Sequence, residues 1–260
     1  MNKKKMNELF PIVSQTSIYD KNVLIEIINF LSKDNMKFKY LEIGSYLGGS
    51  LTPFLKNDYC SLVFSIDKRN QNLEDERGKI ISYKNTSLNQ MLDNLKKFNL
   101  NTKKLKTFNG DVKNFKKKIK FDLVFIDGIH TDINTFSDFL NSLKLLKKNG
   151  IILFHDSSII FKSIKIIEVF LKQNNFKFSL VKFKDSEITG IFFNLYSRIF
   201  FKHKKFKFEN FNKFIKNAEN NLLMEQINNR LKIKFKISRF IKKKFPYKLS
   251  LITNKKILKF

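Results

Sequence analysis

The sequence has no tryptophan, one cysteine, three prolines and eight glycines. Cys60 stands alone, so no disulfide can form within the chain, and a cysteine-rich metal site is excluded. Apolar runs stop at four to six residues, as in "IILF" and "ITGIFF". A membrane-spanning helix needs about 20, so none is expected. The start, "MNKKKMNELF", has basic residues but no apolar stretch behind them, and no secretion signal is expected. The cytoplasm is the expected compartment. Acidic residues are also scarce, 23 against 51 Lys and Arg, giving a net charge of +28.

What is present is apolar enough, at 42%, for a folded core rather than disorder. Lys, Asn, Ile and Phe dominate, which is the mark of an AT-rich coding sequence, so part of the lysine excess carries no function. Its placement says more than its size. Residues 195–260 hold 19 of the 51 basic residues and only 3 of the 23 acidic ones. A tail of that kind suits an anionic surface, or is a merely solvated face.

Residues 20–33 read as an amphipathic helix with Asp20 as N-cap. The strand "FKYLEI" (38–43) follows, then the turn "GSYLGGS" and a short helix to about Lys56. Further strands are expected at 61–67, 104–111, 120–128 and 151–156. Helices are expected between them at 86–98, 131–150 and 158–174. Two strands with a short turn, 176–184 and 188–194, close the series as a hairpin. Strands alternating with helices predict an α/β fold: a Rossmann-like, seven-stranded, mostly parallel sheet ending in an antiparallel hairpin. The alternation stops at Asn194. That divides the chain into a domain at 1–194, with its motifs in 38–194, and a basic extension at 195–260. Two or three helices fit the extension, although "RLKIKFKI" alternates like a strand. Its stretch 237–248, "ISRFIKKKFPYK", interleaves aromatics with lysine. That pattern suits nucleic acid, a membrane surface, or a helix packed on its own domain.

Glu42, Asp67, Asp111, Asp127 and Asp156 all fall at expected strand ends. Open α/β sheets bind ligands there. The turn after the first strand is not a phosphate-binding P-loop, since no Gly-Lys-Ser/Thr follows. Its glycines, Gly44, Gly48 and Gly49, do not make Gly-x-Gly-x-x-Gly either. An acid some 20 residues further on, Asp67, can accept both hydroxyls of a ribose. Asp111 could accept from an adenine amino group, and Glu42 could orient the loop or an ammonium group. Each could also be a solvated turn acid or a helix cap. Two of the three histidines, His130 and His155, lie at strand tips; His203 sits in the basic stretch "FKHKKFKF".

Taken in order, "YLEIGSYLGGS", "VFSID", "FNGD" and "FDLVFIDGIH…LLKKNGIILFHD" resemble a class I S-adenosylmethionine-dependent methyltransferase. The last pairing resembles the branch of small-molecule and sugar O-methyltransferases. The resemblance implies that Glu42, Gly44 and Gly48, with Ser45 beside them, hold the amino-acid end of S-adenosylmethionine. It places Asp67 on the ribose and Asp111 near the adenine. In metal-dependent relatives an acid after strand four and two groups after strand five bind Mg²⁺. Those positions are Asp127, His155 and Asp156 here. His155 departs from the all-oxygen set that Mg²⁺ prefers; a softer divalent metal, or none, would accommodate it. His130, with Asp127, is then the candidate for removing a proton from a hydroxyl acceptor. The expected acceptor is a sugar or other small molecule, or a glycan. The extension would contact an anionic or membrane surface, placing the protein at the membrane periphery. RNA methylation, suggested by charge alone, ranks below this. So does a non-catalytic surface-binding protein with a vestigial Rossmann domain.

Overall fold

In the computed structural model the structure describes residues 3–69, 71–84, 86–203 and 205–244. The chain opens with α1 (Lys3–Leu9) and α2 (Ile18–Leu31). Then come β1 (Phe38–Ile43), α3 (Thr52–Lys56), β2 (Cys60–Asp67), β3 (Asn72–Glu74), β4 (Ile80–Ser82) and α4 (Leu88–Lys97). They are followed by β5 (Leu105–Asn109), β6 (Phe121–Ile126), α5 (Asp132–Leu145), β7 (Leu146–Phe154) and α6 (Phe161–Gln173). The last elements are β8 (Phe178–Phe183), β9 (Thr189–Phe193), α7 (Tyr196–Ile199), β10 (Phe208–Glu209) and α8 (Phe211–Lys244).

The main sheet has the order β10-β8-β9-β7-β6-β1-β2-β5. β5, β2, β1, β6 and β7 run parallel, and β9, β8 and β10 add antiparallel neighbours. The seven expected strands are all there. The eighth, β10, is a correction: Phe208 and Glu209 pair with Phe183 and Lys182. Phe200 and Phe206 are buried in the same core. The core of the sheet domain therefore continues past Asn194 to about residue 209, because these phenylalanines need its apolar face.

Alternation along each strand splits the core. On β1, Phe38 and Tyr40 face the cluster that includes Leu24, Ile27 and Phe54, while Leu41 and Ile43 face the one with Phe139 and Ile164. Strands covered on both faces produce the continuous apolar runs "LVFI" and "IILF". From β1 the chain builds β2 and β5 on one side, and β6 and β7 on the other. The topological switch point therefore lies between β1 and β6, which is where such sheets bind ligands.

Three local expectations change. The N-cap of α2 is Ser17, not Asp20; Asp20 is the third helical residue of a capping box closed with Ser17. α5 ends at Leu145, so Lys147, Lys148 and Asn149 belong to β7, anchored by buried Leu146 paired with Phe121. The stretch 230–237 lies within the single 34-residue helix α8 and is not a strand. The aromatic–lysine segment 237–248 lies outside the described residues beyond Lys244. Among the described residues no helix is long and apolar enough to cross a membrane.

Candidate active site

A cleft open to solvent runs along the carboxyl ends of β1, β2, β5 and β6. Gly44, Tyr46, Asp67, Asp111, Asp127 and His130 all line it. Gly44 has φ +89° and stands at the switch point; a Cβ there would lie 2.0 Å from the Asp127 carbonyl oxygen. Only glycine fits between the two strand ends. Asp67 accepts a hydrogen bond at Oδ2 from the Tyr46 backbone N–H, at 2.7 Å, which fixes the loop to the second strand end. Burial raises the Asp67 pKa against the pull of Arg69. Among the described residues, the Asp111 side chain pairs with Lys68 and Lys113 at 3.8 and 4.0 Å, long, exposed contacts that contribute little. Ser45 faces a smaller recess between the loop and residues 13–16.

Glu42 and Gly48 do not line the cleft. Glu42 shares the inner face of β1 with Tyr40 and is fully buried, accepting from Tyr40 Oη at 2.5 Å and Ser50 Oγ at 2.6 Å. Through Ser50 it holds the loop from beneath. Gly48, at φ +85°, lets the loop pack on α4, where an added Cβ would meet Met91 at 3.0 Å. Burial, only partly offset by these hydrogen bonds, pushes Glu42 up to about 8.

A raised acid favours the fold while it is neutral. Its contribution is complete below the unfolded pKa of 4.5 and drains away as pH climbs to about 8, at about 1.4 kcal/mol per pH unit. Glu42→Gln keeps the shape without the charge. Thermal unfolding at pH 4 and pH 8 is expected to show the variant gaining on the parent at the higher pH. A parallel pH dependence of the two would contradict the assignment.

Beyond the Gly44 end, Asp127, His130, His155 and Asp156 bring one donor atom each within 4.8 Å of one another. His155 Nδ1 is 3.0 Å from Asp127 Oδ1 and 3.3 Å from Asp156 Oδ2. His130 Nε2 is 3.0 Å from Asp156 Oδ2 and 3.4 Å from Asp127 Oδ1. Asp156 reaches the group from a left-handed backbone, φ +49°. Burial works against every charge here, yet the groups sustain one another. His155 and His130 hold Asp127 down at about 2, and the carboxylates raise both imidazoles. His155 Nδ1 is buried and close to two carboxylates, but is aligned with neither for a hydrogen bond. That orphaned atom, in a convergent set of two carboxylates and two imidazoles, fits a divalent cation of the Mn²⁺ or Zn²⁺ kind better than Mg²⁺.

Several lining groups have no counterpart in the sequence reading. β3 and β4 form a separate hairpin whose Leu73, with nearby Gln71 and Tyr83, covers the cleft. Strands of three residues carry too little periodicity to detect. Asp138, on α5, also faces the cleft, and burial with help from Asp111 pushes it up to about 7. It reads in sequence as one of many helix-surface acids.

Residues 41–157 match the family model described as a methyltransferase domain. A protein of Staphylococcus aureus assigned as a caffeoyl-CoA O-methyltransferase superposes with a TM-score of 0.50 at 18% identity, over 75% of this chain and 93% of that one. The O-methyltransferase NovP superposes with a TM-score of 0.51 at 13% identity, over 70% of this chain and 82% of that one. At such identities the likenesses establish the fold. No curated protein sequence matches the chain.

Proposed function

We propose that this chain is a class I S-adenosylmethionine-dependent methyltransferase, its residues 41–157 matching a methyltransferase domain, and that it methylates a hydroxyl of a sugar or another small molecule. One observation carries the reading. The Asp127–His130–His155–Asp156 group meets, through Asp127 and His130, the cleft that Asp67 and Asp111 also line, while His155 and Asp156 lie behind its wall. A donor bound across Asp67 and Asp111 would thus lie beside a cluster able to hold and deprotonate an acceptor hydroxyl. The sulfonium donor is already activated, so the chain has only to align the reactants and take up a proton.

In this reading Gly44 and Ser45 flank the amino-acid end of the donor, Asp67 accepts from the ribose and Asp111 from the adenine. Asp127, His155 and Asp156 hold a divalent ion, whose chemistry is to lower the pKa of a bound hydroxyl. His130 accepts the acceptor's proton. Its neighbouring carboxylates raise its pKa, so the neutral, accepting form is populated only above the ordinary histidine range. The C-terminal extension keeps an anionic surface as its proposed partner. α8 carries basic side chains beside exposed Leu223, Met224, Ile227 and Leu231. The two structural neighbours carry O-methyltransferase names, which favours oxygen as the accepting atom.

The test is formation of S-adenosylhomocysteine over a panel of sugars and other hydroxyl compounds, with Mn²⁺, Mg²⁺ or EDTA. We expect turnover that rises with pH beyond 6.5, the ordinary histidine value, and falls with EDTA. Methylation of RNA with no turnover of any small hydroxyl would overturn the acceptor class.

A further inference from the structure

We propose that Asp20 is a positioning residue: it holds the Nε2–H of His155 and so turns Nδ1 toward the divalent-ion position between Asp127 and Asp156. The inference rests on the divalent-ion reading of that cluster and concerns a residue outside the cleft, 135 positions away in sequence.

Asp20 lies in the first turn of α2 and is almost wholly buried. Its Oδ1 accepts from Ser186 Oγ and from the Glu187 backbone N–H, both at 2.7 Å. Its Oδ2 accepts from Ser17 Oγ at 2.5 Å and Ser17 N–H at 3.0 Å, and lies 3.4 Å from His155 Nε2. Four donors converge on the carboxylate before the imidazole is counted. A buried carboxyl so supplied is ionised, and an ionised carboxylate can only accept. His155 Nε2 must then be the donor. With a cation in place of the Nδ1 proton, that leaves the ring's lone pair on Nδ1, the atom between Asp127 Oδ1 and Asp156 Oδ2.

The surroundings make this orientation stiff. The capping box of α2 and the 186–187 turn before β9 both clamp Asp20. The His155 ring also stands edge-on to Phe125, with centroids 5.9 Å apart. A carboxylate that orients a metal-ligating histidine through its other nitrogen is a recurring arrangement. Its loss costs 10- to 100-fold in metal affinity. A cap alone would not need it, since Ser17 closes the helix end and Asp20 need not reach a histidine.

The experiment titrates Mn²⁺ into wild-type protein, Asp20→Asn and Ser186→Ala by calorimetry. S-adenosylhomocysteine binding serves as the check that the cleft is intact. In Asp20→Asn an amide N–H facing Nε2 favours the tautomer with its proton on Nδ1. Mn²⁺ affinity is expected to fall about 10- to 100-fold, with S-adenosylhomocysteine binding unchanged. Ser186→Ala removes one clamp on Asp20 but keeps its charge, and is expected to cost less Mn²⁺ affinity than Asp20→Asn. Equal Mn²⁺ affinity in wild type and Asp20→Asn overturns the proposal, as does a larger loss in Ser186→Ala than in Asp20→Asn.

A second measurement needs no substitution at Asp20. With only three histidines in the chain, ¹⁵N spectra of the protein loaded with diamagnetic Zn²⁺ resolve each imidazole, and His155→Gln identifies its signal. A His155 protonated on Nε2, with Nδ1 on the ion, supports the inference; one protonated on Nδ1 overturns it. Wild type that binds no Mn²⁺ removes the divalent-ion reading, and with it the metal-facing purpose of Asp20.

Discussion

Gly44→Ala is expected to abolish binding of S-adenosylhomocysteine and to destabilise the fold by more than about 4 kcal/mol, the range reached only by backbone or core disruption. Two effects add. A non-glycine residue at φ +89° costs about 1–2 kcal/mol. The new Cβ would also lie 2.0 Å from the Asp127 carbonyl oxygen and 2.9 Å from Gly128 Cα. Neither is the end of a movable side chain. Relief requires β1 and β6 to part where Asp127 N–H donates to the Ile43 carbonyl at 2.8 Å. That displacement moves Asp127 and breaks the cleft at its centre. Gly78→Ala separates the two effects, because Gly78 has φ +72° and its nearest neighbour would be 3.8 Å away. It should lose about 1–2 kcal/mol and bind as wild type does. Thermal unfolding with calorimetry checks both. A Gly44→Ala protein that binds normally would remove the switch point from the site.

Asp67→Ala has the second largest expected effect, a 10- to 150-fold loss of S-adenosylhomocysteine affinity, or about 1.5–3 kcal/mol for a charge-assisted hydrogen bond. The carboxylate has two duties: its Oδ2 accepts from Tyr46 N–H at 2.7 Å, and it is the nearest carboxylate to buried Arg69, at 3.7 Å. Alanine ends both and leaves Arg69 Nε and Nη1, already without partners, beside no negative charge. Asp67→Asn keeps an acceptor for Tyr46 and isolates the proposed ribose contact. Its loss should be smaller than alanine's but measurable. If asparagine and the parent bind alike while alanine binds poorly, Asp67 serves the loop and not the ligand.

Strand ends and the acids on them were legible because their signals are local. "FDLVFID" announces a strand buried on both faces and the acid at its tip in seven residues. The five acids at strand ends predicted a common edge, and the parallel topology brings Asp67, Asp111 and Asp127 to it. Direction within a strand was harder. Glu42 sits at its strand's end like the others, but one-residue alternation turns it under the loop with Tyr40. Contacts between distant segments left no local trace. Ser17 and Asp20 read as a helix start, and nothing in their spacing points to His155 or Ser186. The hairpin of β3 and β4 escaped for the opposite reason, being too short for any period. At the far boundary, the end of the strand–helix alternation placed a break after Asn194 although Phe200 and Phe206 still belong to the core. Lysine content records the solvent face, whereas the buried phenylalanines decide where the domain's core ends.

The central claim is that the cleft between β1 and β6 binds S-adenosylmethionine. Calorimetric titration of S-adenosylhomocysteine into the wild-type chain tests it most directly. We predict saturable one-to-one binding, lost in Gly44→Ala. Folded wild-type protein that takes up no heat at millimolar ligand would contradict it.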